Sequence, residues 1–390
     1  MASCWCIGAL VTIFALVFTA FFYKINWFKV SDMRIEGNSK QALANYLNSR
    51  KRKLGKLPPV FPNGWFALIE SYHIRKGEVK HIAALGENFA VFRTEKGIVN
   101  ILDAYCPHLG ANMAEGGHVK GDCLECPFHG WLFRGDNGQC QSIPYAEKVP
   151  QIAKTKCWKS CEVNQIVFVW YHADGMEPDW EPQPVELVRN GSWRYQGRNE
   201  FLINCHIQEI AENGADFAHL SAVHGPAMFL NKDVPWFAYH SWSNAEPAEK
   251  MKHKANMRLK HKVVLFEKFS VLELDVKVHQ IGPGYVELII DTGLGPMCIF
   301  QTVTPMEPLL QKVTHTIFSP PLLGPYASLV FLGECLMFER DVVIWNRKKF
   351  ERQPILVKED RTIIAYRRWY SQFYSQHSPT YHTAMKSLVW

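Results

Sequence analysis

Apolar and polar positions change rhythm several times along this chain. Ser3 to Tyr23 (SCWCIGALVTIFALVFTAFFY) carries no charged side chain across 21 positions, enough for a helix to cross a bilayer. It lacks the basic start and Ala-x-Ala site of a cleaved secretion signal, so the reading is a retained transmembrane anchor over residues 3–23. Lys24, Lys29, Arg34, Lys40, Arg50, Lys51, Arg52, Lys53 and Lys56 follow. The preference of basic residues for the cytoplasmic side then puts the long C-terminal part in the cytosol. Residues 24–60 read as a basic connector with helical character in QALANYLNSRKRK, solvated near the headgroups. The Pro-rich stretch Leu57 to Trp65 (LPPVFPNGW) ends any helix there.

From about 65 to 170 the rhythm is that of short strands. KHIAALGENFAVFRT and GIVNILDAY are β-prone runs separated by Gly and charged turns. A compact all-β domain is expected over 61–175. Glu177 to Glu186 (EPDWEPQPVE) is a Pro-rich joint, and a second domain is expected over 185–390. There, residues 204–220 read as one helix. Long strands fill 256–319, where Leu272, Leu274, Val276 and Val278 alternate with Glu273, Asp275, Lys277 and His279. That period of two marks a half-buried antiparallel strand. A last helix is expected from about 332 to 350. Strands grouped between helices make this an α+β domain.

Composition narrows the field. With 47% hydrophobic and 13% aromatic residues the chain builds a sizeable core, and a net charge of +6 without a basic stripe argues against a nucleic-acid reader. Eleven cysteines, an odd number spread irregularly, do not form a secreted disulfide framework. Metal-bound thiolates in a reducing compartment are the better reading. No G-x-G-x-x-G opens a helix after a strand, so a separate NAD(P)H-dependent reductase is expected to supply electrons.

Two constellations carry the chemistry. Cys106-Pro107-His108 and Cys126-Pro127-Phe128-His129 form C-x-H, 17 intervening residues, then C-x-x-H. Two thiolates and two imidazoles suit an asymmetric [2Fe–2S] centre, with cysteines on the iron that stays ferric and histidines on the reducible one. Structural zinc is the alternative, with Cys123 offering a stray C-x-x-C to Cys126. The one-residue gap before His108 is unusual for a zinc finger. CPH and CPFHGW resemble the Rieske motif, which leaves Cys123 and His118 as bystanders. Respiratory Rieske proteins carry an additional cysteine in each loop; here Ala111 and Phe128 stand in those places.

About 90 residues after the first motif comes Glu209-Ile-Ala-Glu-Asn213-Gly-Ala-Asp216-Phe-Ala-His219-Leu-Ser-Ala-Val-His224. Spacing places Glu209, Asn213, Asp216 and His219 on one helix face. His224, five residues beyond His219, needs a helix end or a bulge to join it. Two histidines and a carboxylate with open positions make the facial triad of non-heme Fe(II) oxygenases. The carboxylate comes from elsewhere: Asp341, on an apolar face with Phe338 and Trp345, is the first candidate, and Glu334 its rival.

In this order, and with PNGWF, CPHLGA, CPFHGW, ENGADFAHLSAVH and DVVIWNRK, the chain resembles over nearly its whole length the Rieske oxygenases acting on sterols, in particular the cholesterol 7-desaturase family of animals. The resemblance implies a [2Fe–2S] cluster on Cys106, His108, Cys126 and His129. It implies a mononuclear iron on His219, His224 and Asp341 in a helix-grip catalytic domain. It further implies a head-to-tail homotrimer in which Asp216 links His219 to a cluster histidine of the neighbouring subunit, with Asn213 a further candidate of undefined role. The implied reaction inserts the C7–C8 double bond of 7-dehydrocholesterol with O2, in steroid hormone biosynthesis at the endoplasmic reticulum membrane. A sterol hydroxylase built from the same parts, or a membrane Rieske electron carrier, remains an alternative reading.

Overall fold

The computed structural model describes residues 12, 15–30, 54–226, 228–229, 232–233 and 238–388. Most of the expected anchor, and the helical stretch expected in the connector, lie outside these residues. Residues 15–22 are helical, and Leu16, Val17, Phe18 and Phe22 are exposed.

The first strand, β1 (Ile25–Val30), follows that helix at once. Next come β2 (Gly64–Glu70), β3 (Val79–Ala84), β4 (Glu87–Arg93) and β5 (Val99–Asp103). Four short strands, β6 (His118–Lys120), β7 (Cys123–Glu125), β8 (Leu132–Arg134) and β9 (Cys140–Ser142), precede β10 (Cys157–Trp158), β11 (Ser160–Val163) and β12 (Ile166–Tyr171). They form three small sheets, ordered β10-β5-β4-β3, β11-β12-β2 and β6-β7-β8-β9. The β-prone runs expected here are strands, and Phe89, Ala90, Val91, Phe92, Ile101 and Leu102 are all buried.

After the joint come α1 (Glu186–Arg189), β13 (Arg194–Ile203), α2 (Ile207–Glu212) and α3 (Phe217–His224). A two-residue pair, β14 (Met228–Phe229) and β15 (Lys232–Asp233), leads into β16 (Ala238–Met251), β17 (Lys254–Leu265), β18 (Phe269–Ile281), β19 (Tyr285–Thr292), β20 (Met297–Glu307) and β21 (Leu310–Ser319). The chain closes on α4 (Gly324–Trp345), α5 (Arg361–Tyr370) and α6 (Tyr381–Leu388). Strands β16 to β21 form an antiparallel meander, extended by β13 and then β1, in the order β1-β13-β21-β20-β19-β18-β17-β16. α4 packs across β13 and β21. This is an all-β domain joined to an α+β catalytic domain whose sheet grips a long helix.

The two domains share their cores. Phe66, Leu68, Val167 and Val169 of the first pack in one cluster with Phe201, Val303, Val313, Phe338 and Trp345 of the second. Glu70 on β2 accepts Arg198 Nε at 2.7 Å across that boundary. α5 and α6 end the chain against both: Val60 N–H donates to Pro379 O and Asn63 N–H to Phe373 O.

Several expectations shift. Ile25–Val30, inside the stretch read as solvated connector, pairs in parallel with Gly197–Leu202 at the sheet edge. The single helix expected over 204–220 is two helices, because Asn213-Gly-Ala-Asp216 makes a 3-10 turn in which Asp216 starts a new helix. Glu209 therefore leaves the face it was expected to share with Asp216 and His219. Its carboxylate accepts the His206 N–H at 3.0 Å in the capping box of α2. The last helix starts earlier than expected, with Pro325 in its first turn, where the missing N–H costs nothing. Among the described residues, Pro321–Trp345 is the one helix long and apolar enough to cross a membrane. It is instead a core helix: Val330, Phe331, Cys335, Phe338 and Val342 are buried against the sheet.

Two candidate metal centres

The first centre is a pair of loops with the same backbone. In one, Gly110 N–H donates to Cys106 O and Cys106 N–H to Ala111 O; in the other, Gly130 N–H donates to Cys126 O and Cys126 N–H to Trp131 O. Each needs a left-handed residue four positions after its cysteine, and Gly110 and Gly130 have φ of 74° and 70°. The loops follow β5 and join β7 to β8. They bury both cysteines, at 3% and 2% exposure, and leave both imidazoles half-buried with ring centroids 4.8 Å apart. His108 stacks on Trp131 at 4.6 Å, and Trp131 Nε1 donates to Tyr145 Oη at 2.8 Å, which fixes the imidazole plane. Thiolates inside and imidazoles outside is the polarity a His2Cys2 cluster needs for electron exchange through its histidine iron. Cys123 donates its thiol to Gln141 Oε1 of β9 at 2.9 Å, and His118 is exposed on β6.

The second centre lies between α3, α4 and one face of the sheet. Donor atoms of His219, His224 and Asp341 all fall within 4.8 Å of one another. Helix ends bring the two histidines together. Asp216 Oδ1 accepts the His219 N–H at 3.2 Å as the N-cap of α3, and His224 is the final residue of that helix. The two rings stand 5.3 Å apart, nearly perpendicular. His219 Nδ1 faces the Asp216 carbonyl oxygen, so its Nε2 is the ring nitrogen left to bind. Asp341 Oδ2 lies 3.2 Å from His224 Nε2. His224 Nδ1 is buried without a hydrogen-bond partner. Such crowding of a carboxylate and two imidazoles in an apolar interior suits a divalent cation with further coordination positions open.

Glu334, the rival carboxylate, is held elsewhere. Its Oε1 is 2.6 Å from His315 Nδ1, and its Oε2 accepts Asn199 Nδ2 at 3.2 Å. Asn213 opens the turn between α2 and α3 and borders the same cavity as the triad. That cavity encloses about 210 Å3 and opens to solvent. Leu220, Trp242, Met257, Leu259, Val278 and Leu288 make most of its wall apolar. Sequence reasoning did not single out Met257 and Leu259. Their alternation with Arg258, Lys260 and Lys262 was the available signal.

Comparison with known proteins agrees. Residues 64–153 match the Rieske [2Fe-2S] domain, and residues 169–374 match the 3-ketosteroid 9alpha-hydroxylase C-terminal domain. The chain is 47% identical to a cholesterol 7-desaturase of Xenopus laevis, over 91% of this chain and 80% of that one. It is 42% identical to a cholesterol 7-desaturase of Drosophila melanogaster, over 97% and 93%. Among solved structures, dicamba monooxygenase bound to dicamba shares the fold, with a TM-score of 0.57 at 15% identity over 80% of this chain and 97% of that one. The protein is an oxidoreductase with a Rieske [2Fe–2S] cluster and a mononuclear iron. By this identity over nearly its full length, the chain belongs to the cholesterol 7-desaturase family of Rieske oxygenases.

Proposed function

We propose that this enzyme desaturates cholesterol at C7–C8, giving 7-dehydrocholesterol. C7 and C8 each lose one hydrogen, while O2, two electrons and two protons leave as two waters. The observation that carries the reading is a two-histidine, one-carboxylate group opening into a largely apolar cavity against the sheet. His219, His224 and Asp341 would hold the iron, and Cys106, His108, Cys126 and His129 the cluster. The iron, when bound, supplies oxygen activation and hydrogen abstraction. The chain's own part is to hold the sterol's B ring against that position and to keep bulk water out. Asp216, one turn before His219, would connect that ligand to the cluster histidine of a neighbouring subunit in a trimer, with Asn213 a further candidate. Electrons come from a separate NAD(P)H-dependent reductase.

A membrane location follows from the same reading. Every exposed position along α4 is aliphatic: Leu329, Leu332, Leu336, Val343 and Ile344. The N-terminal end of this face meets helical residues 15–22, with Thr19, Ala20 and Tyr23 lining a groove against Pro325, Leu329 and Leu332. An apolar surface of this kind suits a sterol-containing bilayer, the source of the substrate. The endoplasmic reticulum, with the catalytic part cytosolic, is the membrane we propose.

The match to the 3-ketosteroid 9alpha-hydroxylase C-terminal domain favours one second reading, hydroxylation of a steroid carbon in the same pocket. Feeding labelled cholesterol to cells expressing the chain and extracting sterols separates the two. A conjugated diene is expected; a 7-alcohol, or untouched cholesterol beside a converted 3-ketosteroid, overturns the desaturase assignment.

A further inference from the structure

One carboxylate in the catalytic cavity has no part in the metal site. Glu334 shares the cavity-facing stripe of α4 with Phe338, Asp341 and Trp345, and its side chain is 22% exposed among mostly apolar neighbours. A charged group there is expensive unless something holds it. What holds it is a row of polar side chains crossing the sheet. Asn199 on β13 pairs with His315 on β21, which pairs with Gln301 on β20. Asn199 and His315, at 0% and 1% exposure, contact one Glu334 oxygen each, and Gln301 lines the cavity alongside. Asn199 Nδ2 also donates to Cys335 Sγ at 2.8 Å, His315 Nδ1 meets Glu334 as a close approach without hydrogen-bond geometry, and Asn199 Oδ1 and His315 Nε2 are buried without hydrogen-bond partners. A carboxylate offers about four acceptor positions, so both oxygens keep capacity on the cavity side.

Distance gives this group a role. Glu334 and Asp341 are seven residues apart on one helix, about 10.5 Å at 1.5 Å per residue. In a sterol the 3-hydroxyl oxygen lies on the order of 6 Å from C7, given C–C bonds of about 1.5 Å. Adding a hydrogen bond of about 2.7 Å puts the carboxylate oxygen on the order of 9 Å from C7, the same scale as the separation of Glu334 from Asp341 along the helix. Gln280, a rival polar group in the cavity, spends its amide N–H groups on Gly282 O and Tyr366 Oη.

We propose that Glu334 is the subsite for the substrate's 3-hydroxyl group, held by Asn199 and His315 and setting which ring carbon faces the iron. The proposal rests on the reading of the enzyme as a sterol desaturase. A carboxylate only accepts hydrogen bonds. It therefore takes a 3-hydroxysterol and rejects a 3-ketone, whose oxygen would meet it acceptor to acceptor.

The test compares holoenzyme and Glu334→Gln for binding of radiolabelled cholesterol, its 3-deoxy analogue cholest-5-ene and the 3-ketone cholest-5-en-3-one, with turnover measured in parallel. Wild type is expected to bind cholesterol roughly 10- to 100-fold tighter than the 3-deoxy compound, the range of a hydrogen bond to a charged group. In Glu334→Gln, whose amide can donate, that ratio falls several-fold and the ketone gains on cholesterol. KM for cholesterol rises while kcat changes little. An unchanged cholesterol-to-deoxy ratio in the variant overturns the subsite. So does a loss of kcat alone, equal for both sterols, which would assign Glu334 to proton delivery. If cholesterol is bound with this selectivity but not desaturated, the reaction assignment fails and the subsite stands.

Discussion

The carboxylate of Asp216 accepts the backbone N–H of His219, and the Asp216 carbonyl oxygen faces the Nδ1 of the same histidine. One residue thus starts the helix that carries both histidines and fixes the ring orientation of the first. Any inter-subunit role of the carboxylate is superposed on this local one, and substitutions can part the two. Asp216→Asn keeps a good N-cap and should leave melting temperature and iron content unchanged while slowing cluster-to-iron electron transfer in single-turnover kinetics. Asp216→Ala should lose electron transfer and, in addition, about 1 kcal/mol of stability. Normal transfer in the Asn variant would remove the bridging role.

Iron counting separates the carboxylates. His219→Ala, His224→Ala and Asp341→Ala are expected to lose the mononuclear iron while the cluster's visible spectrum persists, because the two centres are on different domains. Glu334→Ala, whose side chain is bound by His315 and Asn199, should retain both metals. Loss of iron from the Glu334 variant, and not from the Asp341 variant, would reverse the ligand assignment.

Acid should unfold the protein through His206. This fully buried ring donates from Nε2 to Pro59 O at 3.1 Å and accepts the Gln208 N–H at Nδ1, capping α2 in the neutral form. Burial lowers its pKa to about 4. Between the unfolded value near 6.5 and about 4, the unfolded chain takes up a proton that the folded chain refuses. Stability therefore falls as pH drops through that window, by roughly 3 kcal/mol from this group. His206→Asn, which can still cap, should flatten that slope in denaturant titrations at successive pH values.

The boundary between the domains contains a buried ion cluster. Arg198 bonds Glu70 on the other domain and Glu200 on its own strand. The Glu70 carboxyl is buried, which raises its pKa, but the Arg198 guanidinium outweighs burial and holds it below the usual range. Glu70→Ala leaves Arg198 with Glu200 as its remaining carboxylate and should destabilise the protein by about 1–3 kcal/mol, seen as a lowered denaturant midpoint. A change under 1 kcal/mol would mean that solvent reaches the pair.

The metal motifs were legible because ligand chemistry is local: two loops, one short helix, fixed spacings. His224 needed a helix end, and Gly225-Pro226 signalled one. Asp341 could be separated from Glu334 only in three dimensions, because the deciding facts are Asn199 and His315, more than a hundred residues away on one side and on a neighbouring strand on the other. Strand β18 announced itself by alternation. Strand β13, RYQGRNEFLI, did not, since buried Arg198 and half-buried Glu200 form a partnered cluster that alternation reads as surface. The break at Asn213–Asp216 was hidden by an unbroken polar stripe with helical spacing. α5 and α6 owe their place to docking on both domains, which no local pattern records.

The parallel strand β1 changes the mechanics of the N-terminal segment. A free tether of the 37 residues from 24 to 60 would let the enzyme wander on the order of 30 Å from its point of attachment. Here the slack is removed at the start. Lys24 donates to Phe21 O and to Gln196 on β13, and six backbone pairs then bind Ile25–Val30 alongside it. Whatever holds the helix at 15–22 also sets the height and tilt of the catalytic sheet, as a bracket would rather than a leash. Lengthening the chain between residues 30 and 54 should leave that posture untouched, whereas a single proline within β1 should set the domain swinging.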